Sequence, residues 1–478
     1  MRRLSLLALV AVAGALLWAA DWPTESGSPQ REGWARAEKA FTKENVKGLE
    51  LLYKYKAANQ AVGADALTTP MIVGRIITYL GFKEMLVFGG SADNVFSVDD
   101  DLNRLIWKRH FDSAGGKTAE SAVCPGGLTA PIAMAGSSTA IGRGRFTPGR
   151  AGGNRSGEFY AVSSDGYLHV LNTSTGADRM PPMKFLPANA KVSGLNVDNN
   201  VVYAATLDQC GGNANALYAI DLSAASATVA SFPAHGGGFA GVAGSAIGAD
   251  GTVYTAVGDP ASDTVFALAA KTLEVKDHFA AAGKPDVDSP GVTPVVFPWK
   301  GRDVIVAGGR DGHVYLLDSK SLGGADHHTP LAQTSYATNG GFRGAFSTWE
   351  DADGGTRRVY ASSGNFVAGM KVEEVSGQPA LTQVWKSKDM IAPAPVVTAN
   401  GLVFVLATGE ARRANNRAIL YALDAATGAE LYSSGPATAT WAHNSGIAIA
   451  NNRIYFTTHD NLVYCFGFFA QQPQLTGK

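Results

Sequence analysis

The sequence predicts an all-β fold, a propeller of eight four-stranded antiparallel blades. Three observations predict it. First, one short pattern recurs at roughly 50-residue intervals, the length of a propeller repeat. Val95-Phe96-Ser97-Val98-Asp99 returns as Leu217-Tyr218-Ala219-Ile220-Asp221, Val314-Tyr315-Leu316-Leu317-Asp318 and Leu420-Tyr421-Ala422-Leu423-Asp424. Looser copies begin at Leu168, Val265 and Val463. Second, each copy follows a short run rich in branched and aromatic residues and bounded by turn formers. Third, 56 of the 478 residues are glycine, which suits a chain that reverses direction every few residues. Seven blades is the alternative count.

From the start of the chain, Arg2 and Arg3 precede an apolar stretch, Leu4 to Leu17, and small residues near Ala19 and Ala20. This reads as a signal peptide over 1–20, and it predicts a periplasmic or secreted protein beginning near Asp21. The apolar stretch is short for a membrane span, which takes about 20 residues. No later run is apolar enough, so no transmembrane segment is expected in the mature chain. Residues 21–478 read as a single propeller domain, with an N-terminal segment over 21–60 and a tail over 470–478.

Strands are named A to D from axis to rim. The A strands are expected to begin near Thr69, Leu128, Val192, Gly241, Ser289, Phe342, Ala392 and Asn444. Clear B strands are Val201-Val202-Tyr203-Ala204 and Arg453-Ile454-Tyr455-Phe456. The B–C links at Asp165-Gly166 and Asp311-Gly312 read as two-residue hairpins with positive φ at both positions. The longer links, Leu207–Asn215 and Gly409–Asn416, are expected to build the upper face. The sixth C strand falls somewhere in Val367–Val372. C strands end at the recurring aspartate. Its presence in each well-formed blade argues for a turn role, since one active site needs one copy. D strands carry an aromatic residue eight positions on, as Trp107 follows Asp99 and Tyr432 follows Asp424. The eighth blade lacks a D strand after Phe469. Leu49-Glu50-Leu51-Leu52-Tyr53-Lys54-Tyr55 is predicted to supply it and close the ring, removing open sheet edges.

The formal net charge of −1 gives no basic surface for nucleic acid. Arg143, Arg145, Arg150 and Arg155 sit in one Gly-rich insertion and read as a solvated loop. Of three cysteines, Cys124 and Cys210 lie in loops of neighbouring blades that open on one face. They are expected to form a disulfide, with two free thiols as the alternative. Cys465 reads as a buried small hydrophobe.

Ala422-Leu423-Asp424-Ala425-Ala426-Thr427-Gly428, with Tyr432 at the tryptophan place, resembles the A-x-D-x-x-T-G-x-x-x-W docking motif of quinoprotein dehydrogenases. Asp21-Trp22-Pro23-Thr24 through Glu44-Asn45-Val46-Lys47-Gly48-Leu49 resembles that family's N-terminal signature. The likeness spans nearly all of the mature chain. It implies similarity to pyrroloquinoline-quinone dehydrogenases, polyvinyl-alcohol dehydrogenases among them. It also covers non-catalytic relatives such as the lipoprotein that scaffolds outer-membrane protein assembly, although no lipoprotein cysteine follows the leader here.

The resemblance implies a quinone in an axial funnel, a calcium ion held by oxygen ligands and an aspartate as general base. The larger alcohol dehydrogenases of the family stack the quinone on a disulfide of adjacent cysteines, and no two cysteines are adjacent here. No C-x-x-C-H is present, so no covalent haem is expected. Ser363-Gly364-Asn365 matches a Gly-Asn of the family whose asparagine holds the metal, which makes Asn365 the candidate metal ligand; capping of a turn is the alternative. Topology adds the D–A connections, which bring His235, Asp288, Arg343 and His443-Asn444 near the axis. Asp288 is the candidate catalytic base, or else a turn cap. Arg343 and His443 are candidate cofactor-binding residues, and Trp349 and Trp441 candidate stacking surfaces, with blade packing the alternative for both rings. His327-His328 is expected on the opposite side, as a metal site or a polar loop.

These features predict an exported oxidoreductase of the quinoprotein type, acting on a small alcohol or sugar and passing electrons to an acceptor. The alternative is a non-enzymatic periplasmic propeller that binds protein partners.

Overall fold

A computed structural model describes residues 21–478 except 79–80, 114–119, 122, 136–156, 224–226, 259–262, 282–291, 310, 336–341, 352–353, 355, 412–413, 444 and 470–478. The leader, the arginine-bearing insertion, Asp288, Asn444 and the tail thus lie outside the described residues. The described residues form an all-β ring of eight antiparallel blades. In the first blade Met71–Thr78, Gly81–Gly90, Asn94–Asp99 and Arg104–His110 pair in that order. The second blade pairs Glu158–Val162, Tyr167–Asn172 and Met183–Lys184, and Ala133 bridges to Tyr160 on the axial side. The later blades repeat the plan. Alternating faces of each sheet are both covered by neighbouring blades, which explains C strands buried along their length, such as Asn94–Asp99.

The sixth C strand runs Val367–Val375, between Arg357–Ser363 and Gln378–Lys386. At the Asp165-Gly166 link Gly166 has positive φ and Asp165 does not; Gly312 has positive φ at the other. The hairpin prediction is corrected at the first. The link from Ser163 to Tyr167 is a three-residue loop that ends on a left-handed glycine, with Gly166 N donating to Ser163 O and Ser163 N to Tyr167 O.

The recurring aspartates close turns. Asp424 Oδ1 accepts from the N–H groups of Ala426 (2.7 Å) and Thr427 (3.0 Å). Asp221 accepts from Ser223 N and Asp318 from Lys320 N. Two turns of this kind, those after Asn172 and Asp424, are gripped by a tryptophan of the preceding blade. Trp107 Nε1 donates to Thr173 O (2.9 Å), and Trp385 Nε1 to Ala425 O (3.1 Å). The rings lie against Gly176 and Gly428, where a Cβ would sit 2.4 Å from the indole and φ is +70° and +71°. Only glycine tolerates both constraints. The gripping residue follows an extra residue in its D strand: Leu105 and Trp107 face Val98 and Ser97, with Ile106 bulged out.

The ring closes as predicted, one residue later. Glu50–Lys56 pairs antiparallel with Leu462–Gly467 and becomes the D strand of the eighth blade. It carries the same bulge, between Leu51 and Tyr53. Tyr53 takes the gripping position, and its hydroxyl donates to Asp100 Oδ1 in the turn of the first blade. Asp100 also accepts from the Tyr455 hydroxyl (2.6 Å) and pairs with Arg453. The buried Cys465 thiol faces this group and is pushed up to about 12 by burial and by the Asp100 carboxylate.

The segment between Asp21 and Glu38 runs around the axis and touches every blade. Trp22 pairs with Ile72, and Pro23 O accepts from Met134 N. Thr24 Oγ1 donates to Leu195 O, Pro29 O accepts from Ile247 N and Gln30 O from Val296 N. Glu32 O accepts from Thr348 N, Gly33 O from Thr398 N, and Glu38 Oε2 from Asn452 N. Several of these partners lie beside A–B turns, so the segment forms a floor on that lower face. Arg31, wholly buried, donates five hydrogen bonds, to Ser245 O, Thr24 Oγ1, Glu25 O, Gly194 O and Leu195 O. Burial pulls its guanidinium down to about 9 and raises Glu25 above the usual carboxylate range.

Candidate functional site at the upper mouth

With the lower end floored, the axis is left to the upper face, where B–C and D–A connections converge. Three of them bring ionisable groups together. His443 lies between Glu430–Ser433 and Ala448–Ala450, on the connection from the seventh blade to the eighth. Ala442 N donates to Thr408 O and His459 N to Trp441 O, so the backbone on its N-terminal side is tied to both blades. Glu410 sits in the small hairpin Glu410–Ala411 and Ala414–Asn415, raised by the long B–C link of the seventh blade. Asp65 lies between the closing strand and the first A strand, in a turn where Val62 and Asp65 exchange backbone hydrogen bonds.

The His443 ring joins them. Its Nδ1 lies 2.6 Å from Glu410 Oε2 and its Nε2 lies 3.4 Å from Asp65 Oδ1. Its side chain is 14% exposed and that of Asp65 10%, whereas Glu410 is 34% exposed. The imidazole is hydrogen-bonded at Nδ1 and so oriented by Glu410, while Nε2, beside Asp65 but without a hydrogen bond among the described residues, is left to exchange a proton.

Trp441 belongs to the same mouth. Its ring stacks on His459 (centroids 4.3 Å, interplanar angle 15°) and meets His443 edge-on at 6.1 Å. His459 is in turn held through Nε2 to Gly63 O (3.2 Å). One face of the Trp441 indole is therefore taken by the protein itself. Beside this group, an open depression of about 530 Å³ is lined by Asn59, Gln60, Asn94, Lys108 and His110. Asn59 there serves the ring seam: its Nδ2 donates to Ala66 O and Asn461 Oδ1, and its Oδ1 accepts from Asn94 Nδ2.

The other sequence-derived candidates are dispersed. Asn365 is exposed in the B–C turn of the sixth blade, and its carbonyl accepts from Met390 N (2.6 Å). The backbone of Arg343 opens the sixth A strand opposite Ser362, at the same upper end. His235 is exposed in the connection from the third blade to the fourth, with φ of 48°. Trp349 is at the far end of its strand, next to the A–B turn, packed edge-on against Trp34 of the floor at 5.2 Å. The structure thus brings His443 and Trp441 together and sets Trp349 apart from them. Cys124 and Cys210 form a disulfide with Cα atoms 5.3 Å apart, joining the entry of the second blade to the upper link of the third. Glu410 and Asp65 escaped the sequence reading. The length of the Gly409–Asn416 link was the available signal for the first; Asp65 joins only through ring closure.

Comparison with solved structures gives the fold its class. The quinohemoprotein alcohol dehydrogenase of Comamonas testosteroni is similar over 96% of this chain and 82% of its own, with 15% identity and a TM-score of 0.60. A quinohemoprotein alcohol dehydrogenase of Pseudomonas putida gives the same coverages, 14% identity and a TM-score of 0.62. A europium-containing methanol dehydrogenase is similar over 94% of this chain and 98% of its own, with 12% identity and a TM-score of 0.62. Neither a protein-family model nor a curated protein matches the chain. The chain therefore has the propeller fold of the quinoprotein alcohol dehydrogenases. Among the described residues no helix is long and apolar enough to cross a membrane.

Proposed function

We propose that the chain is an exported oxidoreductase of the quinoprotein type, which oxidises a small alcohol or sugar at the upper mouth and passes the electrons to an acceptor. The observation that carries this reading is His443, hydrogen-bonded to Glu410 with its Nε2 facing Asp65, where the axial connections converge. The fold shared with quinoprotein dehydrogenases supports it.

The axial strands also suit a polar guest. Thr293 Oγ1, on the short inner strand Val292–Thr293, is buried without a hydrogen-bond partner among the described residues. Buried orphans of this kind call for a ligand or water. Pyrroloquinoline quinone, with a calcium ion, is the group in question. Arg343 would meet an acidic group of such a cofactor, and Asn365 would offer an oxygen donor of the kind a hard cation prefers. When bound, the pair supplies a hydride acceptor and a Lewis acid. The residues of the chain do the rest. Glu410 orients the His443 ring through Nδ1. Nε2 holds the proton lost by the substrate hydroxyl, and Asp65 stabilises the charge formed. Trp441, backed by His459, walls the mouth against water.

The test is direct. Folded protein is titrated with pyrroloquinoline quinone and calcium by calorimetry, then assayed with an artificial electron acceptor over a panel of alcohols and sugars. Saturable quinone binding with turnover is expected. A folded protein that binds no quinone would sink the proposal and leave a scaffold without redox chemistry, whose partners are proteins.

A further inference from the structure

The docking device of the repeat takes a different form in the fourth blade. The fourth D strand, Val275–Ala280, has the usual bulge, with Val275 and Asp277 facing Leu268 and Ala267. The residue after the bulge is a ring in the first, sixth, seventh and eighth blades (Trp107, Trp385, Tyr432 and Tyr53). In the fourth it is Asp277. Its Oδ2 accepts the N–H of Leu322 (2.8 Å) and so grips the turn of the fifth blade without covering it.

Two imidazoles occupy the crevice instead. His278 stacks on His327 (centroids 4.2 Å, interplanar angle 14°), which comes from the C–D connection of the fifth blade. His327 has φ of 58°, a left-handed conformation that a residue other than glycine or asparagine adopts at some cost. Its backbone is pinned, since His327 O accepts from Ala280 N (2.9 Å). One ligand atom from each of Asp277, His278 and His327 lies within 4.8 Å of the other two, and all three residues are partly exposed. His327 Nδ1 lies 3.1 Å from Asp277 Oδ1 and 3.2 Å from His278 O. Nδ1 is thus the ring atom that faces the carboxylate, so an ion shared with Asp277 takes the Nδ1 lone pair and leaves the ring proton on Nε2. His328 turns away, with Nδ1 2.8 Å from Ala280 O.

We propose that Asp277, His278 and His327 bind a divalent transition-metal ion of the zinc or nickel kind, which staples the fourth blade to the fifth. Two imidazole nitrogens with one carboxylate oxygen suit such a borderline ion; calcium prefers an all-oxygen shell. Water fills the remaining positions, because the crevice is open to solvent. Ligation draws the two rings out of their stack, so the imidazole signals report it. This site lies between the outer parts of two blades, and it is independent of the chemistry proposed for the upper mouth.

The test uses the full mature chain, stripped with chelator and titrated with zinc chloride, then nickel chloride, by calorimetry. One saturable site is expected for each ion, with shifts of the His278 and His327 imidazole resonances in NMR spectra. His327→Asn and, separately, His278→Asn should weaken zinc binding by about tenfold or more. Circular dichroism of each variant checks that it is folded. If one variant does not fold, the other, with the resonance shifts of the parent, decides. No saturable zinc binding, or zinc binding of undiminished affinity in a folded variant, overturns the proposal, because the ion would then sit elsewhere or nowhere.

Discussion

At the scale of single residues, the proposed chemistry rests on side chains whose partners come from distant parts of the chain. His443 and Trp441 were legible because D–A connections of a propeller must approach the axis. Asp65 was not, since its place depends on the closing of the ring. Replacing His443 by Ala, or Glu410 by Gln, should lower kcat by roughly 100-fold or more while leaving the melting temperature near that of the parent, because a positioned acid–base group contributes about that factor. Steady-state kinetics beside thermal melts checks this. A second histidine controls pH dependence. His169 is buried, bonded to Asp178 Oδ1 (2.9 Å) and stacked on Phe111 (3.8 Å), and burial holds its pKa below the ordinary 6.5. The fold therefore prefers the neutral ring. Its contribution is present above pH 6.5 and is lost as the pH falls through the lowered value. Urea midpoints at pH 8 and pH 5 should differ more in the parent than in His169→Gln.

Strands and turns were the most legible level. The aspartate that ends a C strand, the glycine after it and the aromatic eight positions on are three marks of one contact, the grip of one blade on the next. The bulge that aims the aromatic was invisible, because an extra residue in a strand leaves no mark in composition. It also explains why the sequence spacing is eight while the ring still faces the turn. Trp107→Ala should cost about 3–5 kcal/mol, the usual loss for a buried tryptophan, measured by chemical unfolding. Tyr53→Phe removes a hydrogen bond to a buried carboxylate and should cost about 1–3 kcal/mol. The disulfide closes a sequence separation of 86 residues. Replacing both Cys124 and Cys210 by Ser should cost about 2–4 kcal/mol, seen as a lower melting temperature that reductant no longer changes.

At the scale of the molecule, the ring and its closing strand could be read in advance, whereas the floor could not. Periodicity reveals what repeats, and the segment from Asp21 to Glu38 occurs once. Its hydrogen bonds reach eight different blades, so no local pattern announces its path. Arg31→Met should destabilise the whole ring, by about 3–5 kcal/mol if the loss resembles that of one partner from a buried ion pair, and the unfolding transition should stay single. That circuit sets the timetable of folding. Residues 22–56 lead the polypeptide, yet their berths, from Ile72 to Phe466, are finished only when the final hairpin has formed. The earliest part of the molecule must wait, unpaired, for the latest, and a ring so joined should mature slowly and all at once.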